Sequence, residues 1–160
     1  MKSILHVSIL VVALATATAF AHGDEDHNPS AKHVGHAALI GVPGVAAKVS
    51  RTIQIEASDS MRFTPANIRV KRGETIRFVV KNTGKLKHEM VLGTGKALKE
   101  HAALMLQFPE MEHSDPNQVS VEPGKTGEIV WKFTKAGKFD FACLQPGHFA
   151  AGMVGKVAVK

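Results

Sequence analysis

Three side chains that can bind a soft metal lie within eleven residues near the end of the chain. Cys143, the only cysteine of the 160 residues, is followed by His148 and then by Met153, with four residues in each gap. A thiolate, an imidazole and a thioether are ligands that copper takes in preference to harder cations. His88, far upstream, is the candidate for a fourth ligand. Together these residues predict a mononuclear copper site that carries one electron.

The single cysteine has three possible fates. It could be a buried and inert thiol, it could pair with a second molecule, or it could bind a metal. His148 and Met153 at this spacing favour metal binding by Cys143. Zinc suits the set less well, because structural zinc sites use several cysteines and thioether is a poor zinc ligand.

Catalysis fits the sequence less well than metal binding, and we expect no enzyme. Cys143 and His148 could form a nucleophile and base pair. That interpretation leaves Met153 and His88 without a role, and the connecting loop is short for residues on opposite walls of a cleft. A copper oxidase would need further copper centres, and the chain has no His-x-His pair of the kind that such centres use.

The first 21 residues predict an export signal. Lys2 precedes an almost wholly apolar stretch over residues 4–20, and Ala19, Phe20 and Ala21 form an A-x-A cleavage site. The stretch is short for a membrane span, so a retained anchor is the less favoured alternative. We therefore expect a periplasmic protein that is not an integral membrane protein after cleavage.

Residues 22–50 are predicted to form a disordered, histidine-rich tail and linker. The segment is polar, shows no strand or helix period, and ends in a Gly- and Pro-containing stretch over residues 41–47. Its histidines either form a second, loose copper site or belong to a solvated tail. They are His22, His27, His33 and His36. Cleavage after Ala21 would also expose the α-amine of His22 beside its imidazole as a copper chelate.

Residues 51–160 predict one all-β domain, a β-sandwich with a single inserted helix. Short alternating segments separated by turn residues predict strands; they lie at 52–56, 68–70, 75–80, 89–92, 128–133 and 155–159. Residues 95–111 are rich in helix formers and predict a helix that ends before Pro109. Leu98, Ala102, Met105 and Leu106 would share its apolar face.

The strand pattern also predicts how the ligands are positioned. Phe139, Phe141 and Cys143 alternate, so they point to one side of a strand and place the thiol at the end of an aromatic core. The turn at residues 145–147 would return His148 to the same point. His88 is expected near the start of a strand at a different sheet edge, so that the site forms only when the sandwich folds.

The charge distribution indicates the class of partner. The formal net charge is +6, and the lysines are spread through strands and turns rather than clustered with aromatic residues. A nucleic-acid surface would need a concentrated basic stripe with stacking side chains. We therefore expect no nucleic-acid partner, whereas a basic exterior suits acidic proteins or a membrane surface.

The chain resembles the cupredoxins, the small β-sandwich proteins with blue or green type-1 copper sites. The resemblance covers about residues 51–160 and is carried by residues 59–65, 68–70 and 73–76, by Asn82 and His88, and by the Cys-x4-His-x4-Met loop. The chain is most similar to the exported cupredoxins associated with bacterial copper tolerance, which have a histidine-rich tail and a His-Glu-Met sequence at the first ligand.

The resemblance implies a Greek-key fold and a division of roles among the ligands. His88, Cys143 and His148 would be equatorial copper ligands, and Met153 the weak axial one. Glu89 departs from the pattern, since many electron-transfer cupredoxins have Asn there to tie the ligand loops together. The implied function is one-electron transfer in copper tolerance, by a monomer that meets a redox partner or a copper-handling protein. The alternative is a copper chaperone or sequestration protein that uses the histidine-rich tail without a redox partner.

Overall fold

Two packed β-sheets and one α-helix make up the described part of the protein. The computed structural model describes residues 37–111 and 114–160. The first sheet has the order β1-β8-β5-β2-β3 and the second the order β4-β10-β9-β6-β7. The strands are β1 (Gly41–Pro43), β2 (Arg51–Ser58), β3 (Arg62–Thr64), β4 (Asn67–Val70), β5 (Thr75–Asn82), β6 (His88–Gly93), β7 (Gln118–Val121), β8 (Thr126–Phe133), β9 (Gly137–Ala142) and β10 (Val154–Val159). A 3-10 turn spans Ala46–Lys48, and helix α1 spans Gly95–Gln107. The predicted all-β sandwich with one inserted helix is confirmed.

The core lies between the sheets and is built by alternation along the strands. In β8 the side chains of Ile129, Trp131 and Phe133 are buried, as the sequence predicts for one face. Gly155 of β10 is opposite Phe141 of β9, and a Cβ at Gly155 would collide with the phenyl ring. The glycine therefore leaves room for the Phe141 ring beside β10.

Strand β9 leads directly to the lone cysteine. Phe139, Phe141 and Cys143 are all buried, while Asp140 points to the outer face and pairs with Lys156 at 3.3 Å. The predicted alternation is therefore confirmed, and the thiol lies at the end of an apolar row that fixes its direction.

Helix α1 packs on the outer face of the second sheet. The Thr94 hydroxyl caps its first turn by accepting a hydrogen bond from the Ala97 N–H at 3.2 Å. Its buried residues are Leu98, His101, Ala102 and Met105. The prediction that Leu106 belongs to this face is wrong, because Leu106 is 61% exposed. Successive residues of a helix are rotated by about 100°, which places Leu106 outside the sector that contains Leu98 and Met105. His101 is buried on this face instead.

The segment before residue 51 differs from the predicted linker where it is described. Gly41–Pro43 forms edge strand β1, paired antiparallel with β8, and Ile40 is fully buried. A proline is compatible with an edge strand because its missing N–H faces away from the ladder. Residues 1–36, with the predicted signal and all four tail histidines, lie outside the described residues. In the described part, no helix is long and apolar enough to cross a bilayer.

Candidate metal centre

The first two candidate ligands are brought together by neighbouring strands of one sheet. Strands β6 and β9 pair antiparallel, with Val91 opposite Ala142, so the start of β6 lies beside the end of β9. His88 is the first residue of β6, and Cys143 directly follows β9. The expectation of a different sheet edge for His88 is wrong, because antiparallel pairing already places these two strand ends side by side.

The loop after Cys143 closes on itself through backbone hydrogen bonds. The His148 N–H donates to Gln145 O at 2.9 Å, and the Met153 N–H donates to His148 O at 3.1 Å. The Cys143 N–H donates to Met153 O at 3.1 Å, which joins the two ends of the loop. Gly152 has a φ of 87°, a left-handed conformation that glycine adopts without a Cβ clash and that allows the bend before Met153.

The potential ligand atoms of three residues converge on one point. The Cys143 Sγ lies 3.3 Å from the His148 Nδ1 and 4.0 Å from the His88 Nδ1. Within residues 37–111 and 114–160, these three residues form a group whose ligand atoms all lie within 4.8 Å of one another. Met153 is fully buried in the same core cluster as Cys143. The structure thus gathers the three predicted nitrogen and thiol ligands and buries the predicted thioether at the end of their loop.

The four side chains differ in their access to water. His88, Cys143 and Met153 are fully buried, whereas His148 is half-buried and forms the exposed side of the centre. Around His148, Pro146 and Ala150 are exposed. His148 is therefore the one of these four side chains that solvent or another molecule can contact.

Burial shapes the protonation of the metal-free centre. Desolvation raises the pKa of the Cys143 thiol to about 12, against the lowering effect of the backbone N–H groups of Glu89 and Gln145. Desolvation also lowers the pKa of His148, and the nearby His88 lowers the pKa of His148 further. A protonated thiol next to a neutral imidazole is a pair from which a metal can displace one proton.

Glu89 joins the two ligand-bearing segments. Its backbone N–H donates to the Cys143 Sγ at 3.4 Å, and its Oε1 accepts from the Leu144 N–H at 2.9 Å. The Ser120 hydroxyl donates to its Oε2 at 3.5 Å. The side chain is buried, and desolvation raises its pKa. In this chain the carboxyl group of Glu89 thus makes the link that the resemblance assigned to an asparagine.

Two polar residues, Asn82 and Asp59, make hydrogen bonds around His88. Asn82 is fully buried, and its side-chain amide donates to Leu86 O at 2.7 Å and to Val121 O at 2.9 Å. Asp59 lies at the turn between β2 and β3, and its Oδ1 is 3.0 Å from the His88 Nε2. The backbone N–H of Lys85 donates to the Asp59 Oδ2 at 2.7 Å, and this hydrogen bond is the largest cause of the lowered pKa of Asp59.

Arg62 holds the far end of the ligand loop. Its Nη1 donates to Ala151 O at 3.1 Å and to Gly152 O at 3.4 Å, and it also bonds Met61 O at 2.7 Å. The turn from Asp59 to Arg62 therefore touches both the His88 side and the Met153 side of the centre. The resemblance to the cupredoxins drew on residues 59–65 but gave the side chains of Asp59 and Arg62 no role.

The donor set fits copper. Two imidazole nitrogens and one thiol converge, the thiol has no disulfide partner, and the surroundings are apolar. Such soft and borderline donors in a shielded site match the preference of copper rather than that of hard cations. Hydrogen bonds to the Glu89 carboxyl group and from the Arg62 guanidinium group hold the loop that carries these donors.

Comparison with known proteins agrees with this donor set. The model of a family described as copper binding proteins, plastocyanin/azurin family, matches residues 49–160. A copper-resistant cuproprotein CopI from Rubrivivax gelatinosus is 53% identical over 98% of each chain. CopI from Pseudomonas aeruginosa is 41% identical over 78% of this chain and 84% of its own, and CopI from Vibrio cholerae is 35% identical over 92% and 95%.

Solved structures share the fold. Dithionite-reduced auracyanin from Roseiflexus castenholzii aligns with a TM-score of 0.61 and 23% identity, over 70% of this chain and 98% of that one. Auracyanin B aligns with a TM-score of 0.61 and 19% identity, over 75% and 96%. At these identities the likeness concerns the fold alone.

Proposed function

The chain belongs to the plastocyanin/azurin family of copper-binding proteins, and from this premise we propose that it is a periplasmic type-1 copper protein that transfers single electrons in copper tolerance. His88, Cys143 and His148 would hold the metal, and Met153 would be a weaker fourth ligand. The observation that carries the proposal is the thiol of Cys143 between the Nδ1 atoms of two histidines, at 3.3 and 4.0 Å.

Electron transfer is supported by the contrast in exposure around the centre. Copper supplies a one-electron couple when bound. The protein excludes water from His88, Cys143 and Met153 and leaves the edge of His148 accessible. A partner that docks over Pro146 and Ala150 reaches the centre through that ring, whereas solvent does not reach the sulfur. We propose a redox protein or a copper-handling protein as this partner, and a monomeric state.

The proposed role in copper tolerance and the proposed periplasmic location are supported by other observations. Three relatives carry the name copper-resistant cuproprotein, and the R. gelatinosus relative matches across 98% of this chain. The first 21 residues have the charge, apolar run and A-x-A site of an export signal. An exported protein with an oxidisable centre would meet excess copper before it reaches the cytoplasm.

An optical spectrum of the copper-loaded protein tests the centre. We expect intense visible absorption from a Cu(II)–thiolate bond in the wild type and its loss in Cys143→Ser, with an unchanged far-ultraviolet circular dichroism spectrum. Reversible voltammetry without loss of copper would support electron transfer. Absence of the visible band in the wild type would overturn the type-1 centre, and irreversible reduction with copper release would overturn the redox role.

The second candidate function is copper storage or delivery through the histidine-rich tail. It is favoured by His22, His27, His33 and His36 in the segment before the domain. Because residues 37–50 pack on the sandwich, the matched deletion is 22–36 and not 22–50. If copper tolerance survives this deletion but fails in Cys143→Ser, the folded centre carries the function. The opposite pattern would assign the function to the tail.

A further inference from the structure

Asp59 makes a direct contact with the buried imidazole of His88. Its Oδ1 is 3.0 Å from the His88 Nε2, and its two oxygens also accept from the backbone N–H groups of Lys85 and Leu86 at 2.7 and 3.3 Å. His88 is fully buried, whereas the Asp59 side chain is 36% exposed. The contact therefore connects the interior of the centre to the surface.

The hydrogen bonds decide which nitrogen of His88 carries the proton. An ionised carboxylate can only accept, so the hydrogen between the two side chains belongs to the His88 Nε2. A neutral imidazole with Nε2–H has its lone pair on Nδ1. That Nδ1 is the atom that faces the Cys143 Sγ at 4.0 Å.

The carboxylate is itself held in place. The N–H groups of Lys85 and Leu86 belong to the turn that leads into His88, so this turn and Asp59 fix one another. A fixed carboxylate behind a metal-facing imidazole orients the ring and raises its basicity as a ligand. Its negative charge also favours the more positive of two metal oxidation states.

We propose that Asp59 is a positioning residue that holds His88 as the Nε2–H tautomer, with Nδ1 facing the Cys143 Sγ, and that its charge lowers the reduction potential of the copper-loaded centre. This inference rests on the proposed copper function for its second part only. The tautomer and the ring orientation are properties of the metal-free protein.

The first test is nitrogen-15 NMR of the histidine rings in the metal-free full chain. We expect His88 to be the Nε2–H tautomer in the wild type and in Asp59→Asn, because an asparagine oxygen still accepts from Nε2–H. Asp59→Ala removes the acceptor and should give a mixture of tautomers. An Nδ1–H tautomer in the wild type would overturn the proposal, as would an unchanged tautomer in Asp59→Ala.

The second test compares reduction potentials of the copper-loaded variants. Loss of a carboxylate behind a metal-bound histidine weakens metal affinity by about 10-fold or more. If Asp59→Asn weakens the binding of Cu(II) about tenfold and leaves the binding of Cu(I) unchanged, the reduction potential should rise by about 59 mV. For a one-electron couple, about 59 mV corresponds to a tenfold change in the equilibrium constant. Asp140→Asn is the matched control, since it removes an equal charge from the outer face of β9, where Asp140 pairs with Lys156.

The outcomes separate the two proposals. A higher potential in Asp59→Asn than in both the wild type and Asp140→Asn supports the role of Asp59. Equal potentials in all three proteins, or equal rises in the two variants, would overturn it. If the wild type shows no Cu(II)–thiolate absorption, the proposed function fails, and the NMR test of the metal-free protein still decides whether Asp59 sets the tautomer.

Discussion

The Oε1 of Glu89 accepts a hydrogen bond from the Leu144 N–H at 2.9 Å, so the residue after one candidate ligand is fastened to the residue after another. Glu89 follows His88, and Leu144 follows Cys143. The same glutamate donates its own N–H to the Cys143 Sγ at 3.4 Å. This pair of contacts joins the two ligand segments through protein atoms alone.

Replacing Glu89 by alanine should loosen the centre and destabilise the fold. The Leu144 N–H would be left buried without its acceptor, which costs about 1–3 kcal/mol. Glu89→Gln keeps an acceptor oxygen and should cost less than Glu89→Ala. Urea unfolding of the metal-free proteins measures the free energy, and the rate of copper loss to a chelator measures the hold on the metal.

The control for Glu89 is Ser120→Ala, which removes only the contact at 3.5 Å to the Oε2. We expect its unfolding free energy to stay within about 0.5 kcal/mol of the wild type, because a long hydrogen bond contributes little. If Glu89→Ala loses copper no faster than Ser120→Ala, the link to Leu144 does not hold the centre together.

The metal-free protein should lose stability above pH 9 because of Cys143. The thiol has a pKa of about 12 in the folded chain against an ordinary value of 9.0. Well below pH 9 it is protonated in both states, so it adds no pH dependence there. Above pH 9 the unfolded thiol ionises first, which favours unfolding by about 1.4 kcal/mol at pH 10, since one pKa unit is worth 1.36 kcal/mol.

Cys143→Ser provides the comparison for this pH effect, because lysines also titrate in the same range. The unfolding free energies of the wild type and the variant should differ by a constant at pH 7 to 8, and the wild type should fall relative to the variant from pH 9 to 10. Parallel curves across this range would show that the thiol is not held in its protonated form by burial.

The sequence predicted the elements that follow a simple period. Ile129, Trp131 and Phe133 alternate clearly, and the row that ends at Cys143 predicted where the thiol would point. The inserted helix was also predicted, since residues 95–111 are rich in helix formers and Pro109 limits the helix. These features depend on local spacing, which a single sequence shows directly.

The contacts that surround the centre depend on pairings between distant parts of the chain. Asp59 meets His88 across 29 residues, and Arg62 meets Ala151 across 89. A period in the sequence carries no information about such pairs. The adjacency of β6 and β9 was missed for the same reason, because strand order depends on how the whole sandwich is connected.

Loss of the Arg62 guanidinium group should weaken the ligand loop more than loss of another surface arginine. Arg62→Met keeps the aliphatic stem but removes the donors to Ala151 O and Gly152 O. We expect a loss of about 1 kcal/mol in unfolding free energy, the usual net value of such bonds, and a faster release of copper. Thermal or urea unfolding and chelator competition measure the two effects.

Arg72→Met is the matched control for Arg62. Arg72 is exposed, and its N–H bonds Lys160 O at the opposite end of the sandwich, next to the start of β9. The control should release copper at the wild-type rate. Equal rates for Arg62→Met and Arg72→Met would show that the hold of Arg62 on the loop does not affect the centre.

A substitution at Met153 distinguishes a copper ligand from a residue that only packs in the core. Met153→Leu preserves volume and apolar character in a fully buried position, so the unfolding free energy of the metal-free protein should change by less than about 1.5 kcal/mol. If the thioether is the weak axial ligand, its removal should raise the reduction potential and shift the visible bands. Val157→Leu, in the same core cluster, controls for altered packing. A potential and spectrum unchanged in Met153→Leu would mean that Met153 only fills the core.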